Sequence, residues 1–284
     1  MSIRRLPFGR KGPRTVFVLG GGGNLGAVQV GMLRAVMDRG YVPDAVVGCS
    51  VGALNAAAIA ADPTPAGVRR LQDIWLALRT ADLFPTSRLS AVRLISQKSR
   101  SLAPNLGLTK LIAGALSFER FEESPVRFEV VATSLTSGDE RWFSKGPVAP
   151  AILASAALPG VYPPVEIDGE LFIDGGVVNN VPISRGLALG GERLVVFHVG
   201  NFNRPRPMPR RPLDVLLQSF SIARNHRFSL DVEQVPSSVE LIVLPAVNPG
   251  ALRYNDFSRS RHFIEAGHSV VASFLDARAA AAGA

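Results

Sequence analysis

A serine stands at the centre of Gly48-Cys49-Ser50-Val51-Gly52, between the apolar residues Ala45, Val46 and Val47 and an alanine-rich run that ends at Ala61. A hydroxyl in such a place can act as a nucleophile if a sharp strand-to-helix turn presents it. Glycines two positions to either side let strand and helix pass closely enough to make that turn. The helix starting near Val51 then offers free N–H groups and the positive end of its dipole to a developing negative charge. Ser50 is the candidate nucleophile; the competing reading is a small-residue turn without chemistry. Cys49 invites a thiol reading, but an elbow presents its middle residue, and Cys49 reads as a small packed side chain.

Such a hydroxyl needs a base. Asp174, followed by Gly175 and Gly176, comes directly after the strand-like residues 170–173, in a turn where the backbone can approach another loop. All four histidines, His198, His226, His262 and His268, also follow Asp174, so chain order leaves a Ser–Asp–His triad open beside a Ser–Asp pair. Placement favours the pair. Ser50 follows the second strand, earlier than in the usual triad-bearing hydrolase, and His198 lies in an apolar strand. A third feature is Gly20-Gly21-Gly22-Gly23-Asn24-Leu25-Gly26, whose N–H groups can cradle an oxyanion. Gly21, Gly23 and Gly26 also fit a dinucleotide fingerprint, with Asp44 as the loosely placed acid. That fingerprint wants its acid at the end of the second strand, and Asp44 stands at its beginning.

In this order, the glycine run after the first strand, Gly48-x-Ser50-x-Gly52 after the second and the later Asp174-Gly175-Gly176 resemble the patatin-like phospholipase family. Ser155-Ala-Ala-Leu-Pro-Gly160 and Val177-Val-Asn-Asn-Val-Pro182 are similar to it as well, so the likeness spans roughly residues 15–200. The resemblance implies a Ser50–Asp174 dyad without histidine and an oxyanion hole from Gly21, Gly22, Gly23 and Gly26. Gly48, Gly52, Gly175 and Gly176 complete the motifs. It also implies an acyl-serine intermediate and a lipid ester substrate, a phospholipid or lysophospholipid. A carboxylate base suits esters better than amides, because an alkoxide leaving group asks less of the acid. One position departs: Leu25 stands where the family usually carries Arg or Lys to help hold the oxyanion loop. The alternative is therefore a catalytically weakened lipid- or nucleotide-binding module of the same fold.

The elements that must position these groups alternate. Strands are expected at residues 15–19, 45–49, 127–133, 170–173, 194–199 and 239–244. Helices are expected at 27–37, 51–61, 68–78, from Thr109 to Leu116, 148–154, 183–189, 213–228 and 257–277. This predicts an α/β fold with a mainly parallel sheet flanked by helices and the elbow after the second strand. Ligands then belong at the carboxyl ends of the strands. Residues 1–14 read as a basic flexible arm, 15–278 as one domain and 279–284 as a frayed tail. Residues 91–95, among Arg88, Arg93, Lys98 and Arg100, form a basic–apolar stretch, and 204–212 an exposed basic loop.

Composition sets the limits. Hydrophobic residues make up 47% and charged residues 19% of 284, enough for a sizeable core. Cys49 is the single cysteine, so no internal disulfide forms. The net charge is +8, nearly all the excess being arginine, which favours anionic surfaces. With no zinc-ligand spacing and no aromatic-rich basic stripe, the expected partner is a membrane surface rather than nucleic acid. Neither metal nor cofactor is expected. The absence of a signal-like stretch or membrane span leads to the expectation of a cytoplasmic protein, peripheral at the inner membrane surface. Oligomeric state is not readable.

Overall fold

The computed structural model describes residues 12, 14–83, 105–200, 208–209, 212–248 and 256–283. The stretch 91–95 and most of the basic loop at 204–212 lie outside them, as do residues 1–11 of the arm. Arg14 belongs to the fold, since its carbonyl accepts from the N–H groups of Glu192 and Arg193.

Strands β1 (Thr15–Leu19), β2 (Ala45–Cys49), β3 (Arg127–Ser134), β7 (Arg193–Phe197) and β8 (Glu240–Val243) run parallel. Their hydrogen-bonded path is β3-β2-β1-β7-β8. Three further strands add an antiparallel part: β4 (Glu140–Phe143), β5 (Val165–Ile167) and β6 (Glu170–Asp174). Strand residues of alternate parity feed two cores, as a period of two requires. Phe17, Leu19, Val46, Val195 and Phe197 enter one, and Val16, Val18, Val47, Leu194 and Val196 the other. The first face is covered by α1 (Gly26–Met37), α2 (Val51–Ala61), α3 (Pro65–Ala77) and α9 (Ser260–Gly283). On the second lie α7 (Ile183–Ala188) and α8 (Pro212–Glu233). The fold is the expected α/β arrangement of helices around a mainly parallel sheet.

Local chemistry explains the differences. α3 starts three residues earlier than its apolar spacing suggests, because Thr64 caps it by accepting from Gly67 N–H at 3.3 Å and Pro65 takes its first position. α5 (Leu106–Ala115) starts after Asn105, whose side chain makes no cap bond, and not at Thr109, which lies inside the helix and donates its hydroxyl to Asn105 O at 3.0 Å. α4 (Thr80–Leu83), β4 and β5 are too short for a periodic pattern. β7 ends at Phe197, leaving His198 just beyond the strand. α9 continues through residues 279–283, where a frayed tail was expected, in keeping with alanine's helix propensity. α6 (Val148–Ser155) packs over β3, β5 and β6.

The register on β3 is what brings the elbow and the aspartate together. β2 pairs with β3 up to Val131, and β6 pairs with it from Ala132 to Ser134, while β4 pairs with residues on both stretches. A strand has two edges, and Val130 and Val131 already pair with both β2 and β4. By the same reasoning at Ala132 and Thr133, β6 lies opposite β4 and shares β2's edge. β2 and β6 therefore meet head-on, Cys49 opposite Val131 and Asp174 opposite Ala132. The next residue, Gly175, crosses so close to β3 that a Cβ there would lie 2.3 Å from Val131 O. Gly175→Ala should therefore destabilise the fold by about 1–3 kcal/mol through overpacking. Chemical denaturation measures this, and a variant as stable as the wild type would contradict the close approach.

Candidate functional site

The chain at Ser50 adopts φ 54° and ψ −127°, a left-handed conformation that a side-chain-bearing residue holds when its surroundings fix it. The flanking glycines allow it. A Cβ on Gly48 would lie 2.6 Å from Ala53 Cα, and one on Gly52 2.3 Å from Leu19 O. α2 begins at once, with Ala53 N–H donating to Ser50 O at 2.9 Å. Ser50 N–H donates to the buried Ser155 Oγ at 2.8 Å, tying the elbow to the end of α6.

Ser50 Oγ donates to Asp174 Oδ2 at 2.7 Å. The second carboxylate oxygen, Oδ1, accepts Gly176 N–H at 2.7 Å and faces Cys49 Sγ at 3.9 Å. Asp174 O accepts the Thr133 hydroxyl at 3.0 Å, and Asp174 N–H donates to Ala157 O at 3.0 Å. The backbone on both sides of the carboxylate is thus fixed. Burial raises the Asp174 pKa above the ordinary carboxylate range, against the opposing pull of the Ser50 and Gly176 hydrogen bonds and the Arg224 charge. The Cys49 thiol is fully buried, and burial with the Asp174 charge pushes its pKa well up, which keeps it protonated.

The glycine loop follows β1, beside the elbow, since Leu19 and Gly48 are register partners. Within it Gly20 N–H donates to Phe197 O, Gly21 N–H to Asn180 O and Leu25 N–H to Gly22 O. Gly26 N–H turns back on Asn24 O and Gly23 O. Among the described residues the N–H groups of Gly22 and Gly23 form no bond within the protein. Of the four glycines expected to face an oxyanion, Gly22 and Gly23 therefore have N–H groups to spare, whereas those of Gly21 and Gly26 hold the loop.

Sequence reasoning missed the residues that clamp this loop. Gln29 Nε2 donates to Gly20 O at 2.6 Å and Phe197 O at 3.0 Å. Asn55 Nδ2 donates to Gly26 O at 3.1 Å and Gln29 Oε1 at 2.9 Å, while its Oδ1 accepts Trp75 Nε1–H at 2.9 Å. Asn180 adds an Nδ2 bond to Gly21 O at 3.3 Å. Asn180 and Ser155 fall in the two stretches that resembled the family, but neither stretch had suggested a role for them. Gln29, Asn55 and Trp75 read simply as helix residues. Leu25 lines the cavity and packs on the core.

A cavity of about 370 Å³ opens at Ser50. Leu54, Trp75, Leu83, Leu108, Ile152 and Phe257 form its apolar part, and Asn180, His198, Ser221, Arg224 and Asn225 a polar part. Among the described residues no group of His, Cys, Asp and Glu is arranged to hold a metal ion. His198 is buried and stacks on Phe228 at 4.7 Å; burial, then Arg224, lower its pKa to about 3, so the ring is neutral at physiological pH. His226 and His262 are exposed and His268 lies 3.3 Å from Asp38. Asp44 accepts Thr15 N–H at the amino end of β1, at the opposite end of the strand from the glycine loop, where it cannot serve a dinucleotide held there.

These features define an α/β protein with a serine elbow, a buried carboxylate beside it and an apolar cavity in front. The profile of the patatin-like phospholipase family matches residues 17–186, and the chain belongs to that family. An uncharacterised NTE family protein of Mycobacterium tuberculosis is 32% identical over 181 residues, covering 62% of this chain and 46% of the relative. Patatin-like phospholipase domain-containing protein 7 of Rattus norvegicus is 28% identical over 192 residues, covering 67% of this chain and 14% of the relative. The chain thus spans about half the length of the mycobacterial relative. Among solved structures, VipD from Legionella pneumophila aligns with a TM-score of 0.47 and 15% identity, covering 93% of this chain and 67% of VipD. No helix among the described residues is long and apolar enough to cross a membrane.

The clamp and the carboxylate each yield a test. Asn55→Ala leaves Trp75 Nε1–H, Gln29 Oε1 and Gly26 O short of a partner, each buried group costing about 1–3 kcal/mol. A loss of at least ~2 kcal/mol is expected in chemical denaturation, and no loss would remove Asn55 from the clamp. For Asp174, a native pKa above the unfolded one means that ionisation opposes folding. This penalty is absent below the unfolded value of 3.8, grows as pH rises through the native pKa and is complete above it. Asp174→Asn should accordingly raise the melting temperature at neutral pH, with the gain vanishing under acid conditions. An equal or lower melting temperature at neutral pH would contradict the direction of the shift.

Proposed function

We propose that the chain is a serine acyl hydrolase for lipid esters, phospholipids or lysophospholipids, working through an acyl-Ser50 intermediate with Asp174 as base. The observation that carries this reading is the 2.7 Å hydrogen bond from Ser50 Oγ to Asp174 Oδ2 in the wall of an apolar cavity. As Oγ attacks the ester carbonyl carbon, its proton passes to Asp174. The tetrahedral oxyanion faces the Gly22 and Gly23 N–H groups, donors worth roughly 3–4 kcal/mol each when well placed. Collapse breaks the ester C–O bond, and the departing alkoxide takes the proton from Asp174. A water molecule then gives a proton to Asp174 and attacks the acyl-serine; Ser50 Oγ leaves, recovers the proton and releases the fatty acid.

Burial supports the choice of base. A carboxylate near pKa 4 is a weak acceptor for an alcohol proton, and the upward shift at Asp174 narrows that mismatch. The alternative, a binding module of the same fold, rests on Leu25. The hydrogen bonds of Gln29, Asn55 and Asn180 support the loop without a basic residue at that position.

A serine-directed fluorophosphonate should label the protein at Ser50, and Ser50→Ala should lower ester turnover by on the order of 10³ or more. Asp174→Asn should fall comparably, whereas replacing His198, His226, His262 and His268 singly by Gln should keep turnover within about tenfold, ~1.4 kcal/mol in the barrier. Full activity in Ser50→Ala would refute the nucleophile. A folded histidine variant as slow as Asp174→Asn would replace the dyad by a triad.

A further inference from the structure

We propose that Arg224 is a specificity-determining residue that receives a phosphate group carried beside the scissile ester; the proposal rests on the reading of Ser50 as attacking a lipid ester. Arg224 lies on α8 with Ser221 and Asn225 at the helical spacings that share a face, and all three line the cavity that contains Ser50. Among the described lining residues it carries the sole permanent positive charge, and Asp174 is the acidic member. A guanidinium has five N–H donors in a planar fork. Here its hydrogen bond among the described residues is a long one, 3.4 Å from Nη1 to the neutral amide oxygen of Asn180. Donors suited to a bidentate bond with an anion are therefore left over on the cavity wall.

The location fits a substrate group. Asn180 also grips Gly21, so Arg224 stands one residue away from the loop that would face the oxyanion. Its charge is felt at Asp174 and His198, which places it within electrostatic reach of the reacting atoms. The opposite part of the wall, from Leu54, Leu83, Leu108 and Ile152, is apolar and suits an acyl chain. An ester with its chain on that side and its carbonyl at Ser50 directs the alcohol portion toward α8. A phosphate on that alcohol would meet Arg224, which is half-buried, and a charge-assisted bond there would discriminate between esters with and without the anion.

The test compares monooctanoylglycerol with its phosphate monoester, chosen to stay dispersed, with wild type and Arg224→Gln; Arg224→Met is the second variant if the first does not fold. Wild type should favour the phosphate ester in kcat/KM by about tenfold or more, and the substitution should reduce that ratio by about tenfold. A fall of equal size on both esters, or no preference in wild type, would overturn the inference and leave Arg224 as a support for Asn180. Calorimetric binding to Ser50→Ala and Ser50→Ala/Arg224→Gln reads the same site without turnover. There the phosphate ester should bind about tenfold less tightly to the double variant, and equal affinities would overturn the inference. Inorganic phosphate is the control. If it competes at the concentration that saturates the ester, the site holds a free anion and the lipid assignment falls. If Ser50 resists labelling and no ester is turned over while Arg224-dependent binding persists, the hydrolase reading fails and the anion site stands. Turnover without an Arg224-dependent preference fails the inference alone.

Discussion

Two strands ending on one edge of β3 is the constraint on which the rest of the molecule depends. β2 arrives from one direction and β6 from the other, and the last paired residues, Cys49 and Asp174, oppose neighbouring positions on β3. An antiparallel strand entering a parallel sheet in this way delivers its terminal side chain to the carboxyl ends of the parallel strands, where loops gather. The elbow then has a single residue, Ser50, in which to leave β2 and start α2, which accounts for its left-handed backbone. Gly175 and Gly52 serve the same purpose from opposite sides, since each lets one chain pass over another's carbonyl oxygen. The 2.7 Å contact between Ser50 and Asp174 follows from strand register rather than from flexible side chains finding each other.

Burying a carboxylate at this junction is costly, and the surroundings offset the cost only partly. Oδ2 accepts the Ser50 hydroxyl and Oδ1 the Gly176 N–H, yet desolvation outweighs them and the pKa stays raised. A fully paired aspartate, with an arginine in contact, would be more stable and a poorer proton acceptor. Arg224 acts on Asp174 through space, with no ion pair between the two side chains among the described residues, and so tempers the charge without quenching its basicity. In the proposed reaction this balance is what lets a carboxylate do the work usually given to a neutral imidazole. His198, although it lines the same cavity, is buried against Phe228 with its pKa lowered to about 3, which makes it a weak proton acceptor.

Much of this was legible in the sequence, and the reason is physical. Short β-branched runs followed by glycine turns and alanine-rich helices carry strong local signals, so β1, β2, α1 and α2 fall within a residue of expectation. The motifs gave Ser50 and Asp174 because backbone geometry demands glycine beside each. What stayed hidden was non-local. β4 and β5 are short strands of half-exposed residues, and their identity comes from the partners they pair with. The turn between β5 and β6, Asp168-Gly169 with both φ values positive, is the local signal that could have revealed β5. Gln29, Asn55 and Trp75 lie on three different elements, and no spacing along the chain announces that they converge. Arg224, one arginine in an arginine-rich chain, became distinctive through the cavity it faces.

The convergence of those three side chains also explains how the glycine loop tolerates Leu25. A basic residue in the loop would fix it by charge, an interaction that weakens with salt and with exposure. Here the loop is fixed by buried amides. Gln29 joins Gly20 to Phe197 and so ties the ends of β1 and β7, and Asn55 joins Gly26 to Gln29 and Trp75. Asn55 and Gln29 are fully buried, so each bond lost would leave a polar group with neither partner nor water. Asn55 lies on α2, the helix that Ser50 begins, and it holds the far end of the loop. The distance between elbow and loop is consequently set by one rigid helix and one buried side chain. An oxyanion hole gains its effect from donors that need not reorganise when charge develops. In the proposed reaction a loop held by this network would meet that requirement, with Leu25 lining the cavity instead.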